Sequence, residues 1–432
     1  MIETHISLNP NKLAEKPMRN ILGMNNIPRM VTLPVQERET RDFNALNLKH
    51  IRFHDAPMDN PGFNVLDIHR IFPLLHQDEN DPRNYVFGQT DDYMSSIADS
   101  KAEIDFRLGE TIDHTFKARL IGVPEDIEKW ARVCRNIIGH YKNGEMDGMH
   151  LNITRVSVWE EANNPKLFAG TVEDFAKMFC AIYRLLKKDF PDIEVGGPAV
   201  TAKGTDFMDQ FITHCKAQGV VPDFLSVTHY HRTLEIFEQK LAPYFEILKK
   251  HGLDNTPLSI VEWHYGVNDW AKEAYVTENG FDSAESAAFS TMLLTHLMDL
   301  PQIDAAYYYS WGTYHWAVYN RRADGFPLLP VYYGLQFFQR LAAECPQRLH
   351  VTVDSPAPVK VLAGKMAEGK IRLLVSCFDC EDQKIRIVCP EMAEATLTAV
   401  SSMTAQKISA QDGAFTFDHA GRHNAYLLEF NA

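Results

Sequence analysis

A chain of 432 residues, 45% hydrophobic and 11% aromatic, can bury a large core, and one large domain plus a small one is the natural division. A net charge of -14 excludes nucleic acid as an expected partner, because phosphate binding draws on clustered Lys and Arg. No apolar run approaches the ~20 residues of a membrane span, so no membrane partner is expected either.

Residues 4–8 read as an edge strand. Strand-type and helix-type runs then alternate. The predicted strands cover 20–24, 48–53, 103–108, 153–159, 193–197, 224–228, 258–261 and 305–310. Helical patterns occupy 33–46, 90–101, 124–141, 234–251, 283–300 and 333–343. Another helix carries Phe175, Phe179, Ile182 and Leu186 at helical spacing. Residues 56–90, rich in Pro, Asp and Asn, read as a long loop over the rim. Strand–helix alternation on this scale is the pattern of a (β/α)8 TIM barrel, expected over residues 13–345. After Pro346 the helical period disappears. Short β-type runs separated by turns predict a small C-terminal β-sandwich over 346–432, which the strand in residues 1–12 is placed to join.

Chemistry concentrates at predicted strand ends, where barrel enzymes carry their active sites. The fourth strand ends on Glu160 and Glu161, and the seventh stops at Glu262. Two carboxyl groups on one rim suit retaining glycoside hydrolysis, which needs them ~5–5.5 Å apart. Taken singly, each reads equally well as a solvated loop acid or a rim ion pair. Strand alternation puts Arg155, Ser157, Trp159 and Glu161 on one face, and Thr154, Val156, Val158 and Glu160 on the other. The valines suit the helix-facing side, so alternation favours Glu161. A bulge would bring Glu160 in as well, where its charge would raise the pKa of Glu161.

Aromatic residues crowd the same strand ends: Trp159, Tyr230, Trp263, His264, Tyr309, Trp311 and Trp316. Sugars stack flat C–H faces on such rings, although each ring alone fits core packing equally. His54, His229, His231, His264 and His315 also fall at strand ends. They lack HExxH or any other tight ligand spacing, so neither metal nor cofactor is expected. No glycine-rich phosphate loop and no GxSxG elbow occurs.

The 7 cysteines are scattered, and the start MIETHISLNPNK lacks a hydrophobic signal region. Both features point to a reducing, cytoplasmic compartment. Cys377-Phe-Asp-Cys380 matches CxxC, but no second pair lies at zinc spacing, and a metal would need further ligands.

The residues together resemble clan A glycoside hydrolases, and within them family 39, the β-xylosidase and α-L-iduronidase group. Val158-Trp159-Glu160-Glu161-Ala162-Asn163 sits where that family has V-W-N-E-P-N, followed by Val195-Gly-Gly-Pro198. Val261-Glu262-Trp263 sits where it has T-E-W or T-E-Y, and Ile51-Arg-Phe-His54 resembles its I-R-F-H. Tyr309-Ser-Trp311 and Leu329-Pro-Val-Tyr-Tyr333 resemble its Y-W and K-P-x-Y-Y. The resemblance covers nearly the whole barrel, and its specificity lies in the order and spacing of the motifs.

The resemblance implies Glu161 as acid/base and Glu262 as nucleophile. It implies electrostatic support from Arg52, a hydrogen bond from Tyr230, and a sugar platform at Trp311. His54, Glu160, Asn163, His229, Trp263, His264 and Tyr309 complete the expected sugar-binding surface. There are departures: the family's Asn, which binds the sugar 2-hydroxyl, is Glu160 here, and its Pro is Ala162. The strand-six His corresponds to Thr228, or is displaced to His229. The expectation is a retaining, exo-acting, β-xylosidase-like glycosidase whose partner is a small carbohydrate. Homo-oligomer formation is compatible with this reading. The alternatives are a catalytically silent or weak carbohydrate-binding protein on a glycosidase scaffold, and a metal-dependent barrel enzyme.

Overall fold

Short runs rich in β-branched and aromatic residues pair side by side, and the helices between them cover the outside. The structure is a computed structural model that describes residues 2–28, 33–54, 64–111, 121–266, 283–312, 316–320 and 325–430. His315 and the 56–63 part of the expected rim loop lie outside these residues. The first elements are β1 (Ile2–Leu13), β2 (Leu22–Asn25), α1 (Leu33–Asn44), β3 (His50–Phe53), α2 (Ile68–Ile71), α3 (Gly88–Ser95) and β4 (Glu103–Leu108). There follow α4 (Ile127–Asn143), β5 (Ile153–Val158), α5 (Val172–Asp189), β6 (Glu194–Val200), α6 (Thr205–Ala217) and β7 (Phe224–Thr228). Then come α7 (Leu234–Lys250), β8 (Leu258–Trp263), α8 (Ala284–Leu297), β9 (Ile303–Tyr308) and α9 (Pro330–Glu344).

Strands β2 to β9 form a closed parallel barrel, with β9 returning to β2. The expected TIM barrel is therefore the fold. Its helices start and stop on local signals. Thr171 and Asp174 form a reciprocal capping box at the start of α5. Asp126 accepts from Lys129 N–H to begin α4, and Gly144, at φ 72°, ends it. The expected stripe of α5, Phe175, Phe179, Ile182 and Leu186, is buried. Helix α6 was not among the expected elements, although Met208, Phe211, Ile212 and Cys215 give it a buried stripe. Its N-cap is Gly204, so no capping side chain announces its start.

The C-terminal strands are β10 (Gln347–Asp354), β11 (Val359–Lys365), β12 (Ile371–Phe378), β13 (Gln383–Val388), β14 (Glu394–Ala399), β15 (Ala405–Ser409), β16 (Ala414–His419) and β17 (His423–Phe430). With β1 they pair in the order β15-β14-β17-β12-β11-β10-β1-β13-β16. The order folds back on itself. Phe415 of β16 lies 5.2 Å from Phe430 of β17, and Phe417 lies 4.8 Å from Tyr426. These strands are far apart in the pairing order, so the two halves pack face to face as layers. Alternate residues divide between two cores. Leu373, Val375 and Leu428 point between the layers, while Leu374 and Leu427 join the barrel's hydrophobic core. Helix α8 packs beneath β11, β12 and β17. No described helix is long and apolar enough to cross a membrane.

Candidate active site

The end of β5 departs from simple alternation. Val156 and Val158 join the helix-facing core, and Ser157 turns inward to donate to Asp105 at 2.6 Å. Trp159 should then face inward, but its φ is 68°, a left-handed conformation rare for a bulky side chain. Its ring turns outward, 6.3 Å from Trp130 and 5.3 Å from Phe168, and its indole N–H donates to Leu167 O at 2.8 Å. The expectation that Trp159 faces the site is corrected. Two successive side chains face the helices, and Glu160 is turned inward. Glu161 also has positive φ, 41°, and its N–H is anchored to Ala199 O on β6 at 3.1 Å.

A second irregularity places Glu262. In β8, Leu258 and Ile260 face the helices, and Val261 joins the small interior cluster with Ala305 and Tyr307. The register slips between Ile260, opposite Ala306, and Trp263, opposite Tyr308. Such a bulge re-aims side chains at a barrel rim. Glu262 turns inward instead of following Ile260. Trp263 points outward, fully buried, 5.2 Å from Tyr308. It therefore offers no face to a sugar.

Arg52 on β3 is fully buried at the centre of the site. It donates to Glu160 and, at 3.1 Å, to Asn25 Oδ1; its Nη1 is 4.0 Å from Glu262 Oε1 and its Nε 3.9 Å from Asp105. His54 bridges the same acids: Nδ1 is 3.2 Å from Glu160 Oε2 and Nε2 is 2.9 Å from Glu262 Oε1. With both ring nitrogens facing carboxylate oxygens, His54 donates to both only as imidazolium. Tyr230 donates its hydroxyl to the other oxygen of Glu262.

Protonation follows from these partners. Burial would raise the Glu160 carboxyl, but Arg52 and His54 outweigh it and hold it at about 2. Burial likewise raises Glu262; His54 and Arg52 oppose the rise, and Glu160 adds to it. Glu161 is raised to about 7, first by burial, then by the charge of Glu262, with a smaller push from Glu160. Its donors are both neutral: Asn164 Nδ2 at 3.0 Å and Thr228 Oγ1 at 3.1 Å. Thr228 on β7 is the register partner of Glu262, so the residue that donates to Glu161 sits beside the other acid.

An aromatic wall borders the acids. His264 lies 4.5 Å from Tyr230 and 5.2 Å from Trp316, and Tyr309 lies 5.5 Å from His54 and 5.4 Å from Trp316. Trp311, the expected platform, is fully buried, 4.9 Å from Phe43 and 6.0 Å from Tyr319. It has no exposed face, and Trp316 stands at the site in its place. His229 is also turned away. Its Nε2 meets Phe237 O at 3.0 Å, and burial lowers its pKa to about 3. Its backbone N–H still holds Glu262 O at 2.8 Å. Asn163 braces the loop, exchanging hydrogen bonds with Thr201 at 2.9 and 3.0 Å. The residues not singled out by the sequence are Asn25, Asp105 and Asn164, with Thr228 noted only as a departure. Asn164, in the Asn-Asn-Pro loop three residues after Glu161, was the most accessible signal.

Residues 44–295 match the family model for glycosyl hydrolases family 39. A β-xylosidase from Caldicellulosiruptor saccharolyticus is 24% identical over 193 residues, 41% of this chain and 37% of that relative. The match thus spans little more than a third of the curated relative. A glucosidase from Croceicoccus marinus has a similar structure, with TM-score 0.81 at 20% identity over 100% of both chains. A monomeric β-xylosidase from Caulobacter crescentus gives TM-score 0.72 at 14% identity over 99% of each chain. At such identities these two structures speak for the fold. The family match spans more than half of the chain and includes both β5 and β8, and on that ground the chain belongs to glycosyl hydrolase family 39.

Proposed function

We propose that this protein is a retaining glycosidase acting on small β-glycosides, with Glu262 as nucleophile and Glu161 as acid/base. The observation that carries the reading is the contrast between two acids that both adjoin Thr228 on β7. Among the described residues Glu161 has only neutral donors, and its carboxyl is raised to about 7, so it is available as a proton donor near neutral pH. Glu262 is held by Tyr230 and His54 with Arg52 behind it, partners suited to an anion. In the first step a Glu262 oxygen attacks the anomeric carbon. The glycosidic bond breaks, and the Glu161 proton goes to the leaving oxygen. In the second, Glu161 takes a proton from water, the water oxygen bonds to the anomeric carbon, and Glu262 leaves.

The enzymes of similar sequence or structure point to β-xylosides and glucosides as the first substrates to test. The segment carrying α2 packs on the rim, with Asp67 bonded to Arg107 at 2.9 Å and Ile68 N–H to Gly109 O at 3.2 Å. A segment packed on the rim in this way suits exo action, releasing one sugar from a chain end.

The test is turnover of an aryl glycoside panel with and without chelator, with the anomer of the first product followed by NMR. Chelator-insensitive turnover with retained configuration is expected; an inverted product refutes the mechanism. A second reading, a silent sugar-binding protein, draws on Glu160, which takes the nearest bond of Arg52 while Glu262 stays 4.0 Å away. Sugar binding without turnover of any glycoside would select it.

A further inference from the structure

The CxxC stretch is left over from the catalytic reading, and the fold supplies what the sequence lacked. Cys377 lies near the end of β12. Asp379, at φ 56°, turns the chain so that Cys380 comes back beside it, with its N–H bonded to Arg422 O at 2.9 Å. His419, at the end of β16 in the opposite layer, completes a cluster. The two sulfurs and one imidazole nitrogen lie within 4.8 Å of one another. All three residues are buried, at 0%, 2% and 1% exposure. The cluster is in the sandwich core and shares no residue with the Glu161–Glu262 site.

The imidazole is the second observation. His419 Nδ1 is 2.9 Å from the Tyr426 hydroxyl, which is itself 3.3 Å from Asn424 Nδ2. The other nitrogen, Nε2, is buried and has no hydrogen-bond partner among the described residues. Either atom of the Nδ1–hydroxyl pair can donate; in the tautomer with the proton on Nδ1, given to the tyrosine oxygen, Nε2 carries a lone pair. An outer hydrogen bond of this kind is how proteins fix the ligating tautomer of a metal-bound histidine.

We propose that Cys377, Cys380 and His419 bind a thiophilic d10 cation, Zn2+ or Cu+, cross-linking the two layers of the sandwich. Two thiolates and an imidazole suit both ions. Cu+ accepts three donors, and Zn2+ requires a fourth, an enclosed water in so buried a cluster. Zn–S bonds of ~2.3 Å put sulfurs ~3.8 Å apart in a tetrahedral site, so small side-chain rotations contract the cluster around the ion. Binding displaces the two thiol protons to solvent.

The test uses the full chain, purified with reductant and without chelator, then incubated with Zn2+ or Cu+ separately and desalted. Elemental analysis should find one of the two ions in stoichiometric amount, and the two arms identify which. The ion should be lost from a Cys377→Ser/Cys380→Ser double variant and weakened in His419→Gln. Chelator should lower the melting temperature of the parent protein by several degrees. That measurement stands even if the double variant does not fold. Three results overturn the proposal: no retained ion in either arm, an ion retained equally by the folded variants, or a Cys377–Cys380 disulfide in a thiol count made under reducing storage.

Discussion

Glu160 and Glu161 are adjacent in the chain and experience opposite fields. The buried Arg52 and His54 pull one carboxyl down to about 2, while burial and Glu262 push the other up to about 7. In the proposed mechanism the protonated form of Glu161 is the active one in glycosylation. Turnover limited by that step should therefore fall as pH rises through about 7, and Glu161→Gln should remove this limb while slowing substrates with poor leaving groups most. A pH–rate profile for kcat/KM with two aryl leaving groups checks both points. Glu160 works the other way. Its folded-state value lies below the ordinary 4.5, so its ionisation stabilises the fold above that pH, and the contribution is lost as pH falls from 4.5 toward about 2. Glu160→Gln, which leaves Arg52 buried with a weaker partner, should cost about 3–5 kcal/mol at neutral pH. The gap between parent and variant in urea melts should narrow over that acid window. The acids themselves were legible as strand-end residues. What was not legible is which way each neighbour points. A left-handed Trp159 reverses the alternation after Val158 and sends Glu160 inward, and no local pattern in V-W-E-E-A-N announces that φ. Trp311 and Trp263 were misjudged for a related reason, since an aromatic at a strand end can serve the outer core or the pocket equally well.

At the scale of elements, the site depends on two breaks in strand regularity. The bulge in β8 and the turned end of β5 each replace a tryptophan that alternation would aim inward, Trp263 and Trp159, with a neighbouring glutamate, Glu262 and Glu160. The barrel's strand and helix order was readable because its periods switch between two and three to four residues along the chain. The breaks were not, because the β8 bulge is set by pairing with β7 and β9, and the β5 turn by bonds to Leu108 on β4 and Ala199 on β6, strands distant in sequence. The interior is tight enough to be tested at a single atom. A Cβ on Gly196 would sit 2.4 Å from the backbone oxygen of Phe224 on β7. Backbone cannot swing aside as a side chain does. Gly196→Ala should therefore destabilise by about 1–3 kcal/mol, measured by chemical denaturation. Because β6 also carries Ala199, which holds the Glu161 backbone, turnover should fall beyond what the stability loss explains.

At the scale of the molecule, the sandwich and barrel share a helix. Helix α8 buries Ala288, Phe289, Met292, Leu293, Leu294 and Leu297, with residues on nearly every side. Such a helix has apolar neighbours all round. Here they are the barrel on one side and β11, β12 and β17 on the other. Phe378 of the sandwich also packs 5.5 Å from Phe289 and 5.9 Å from Tyr265, just beyond β8. A chain ending at residue 345 should therefore expose α8 and aggregate, and it should lose the bracing of the rim near Glu262. Soluble yield and light scattering of that shortened chain check the point; a soluble, monodisperse, active product would contradict it. The β character of the C-terminal region was plain from its short alternating runs, but its reach to the rim near Glu262 came only from three-dimensional packing.

The central claim is that Glu262 forms a covalent bond to the sugar. The direct measurement is to incubate the protein with activated 2-deoxy-2-fluoro β-xyloside and β-glucoside, then map the labelled peptide by mass spectrometry. The account predicts a stoichiometric glycosyl adduct on Glu262, absent from Glu262→Gln. An adduct on Glu160 or Glu161 would contradict it, as would turnover of the parent aryl glycosides undiminished in Glu262→Gln.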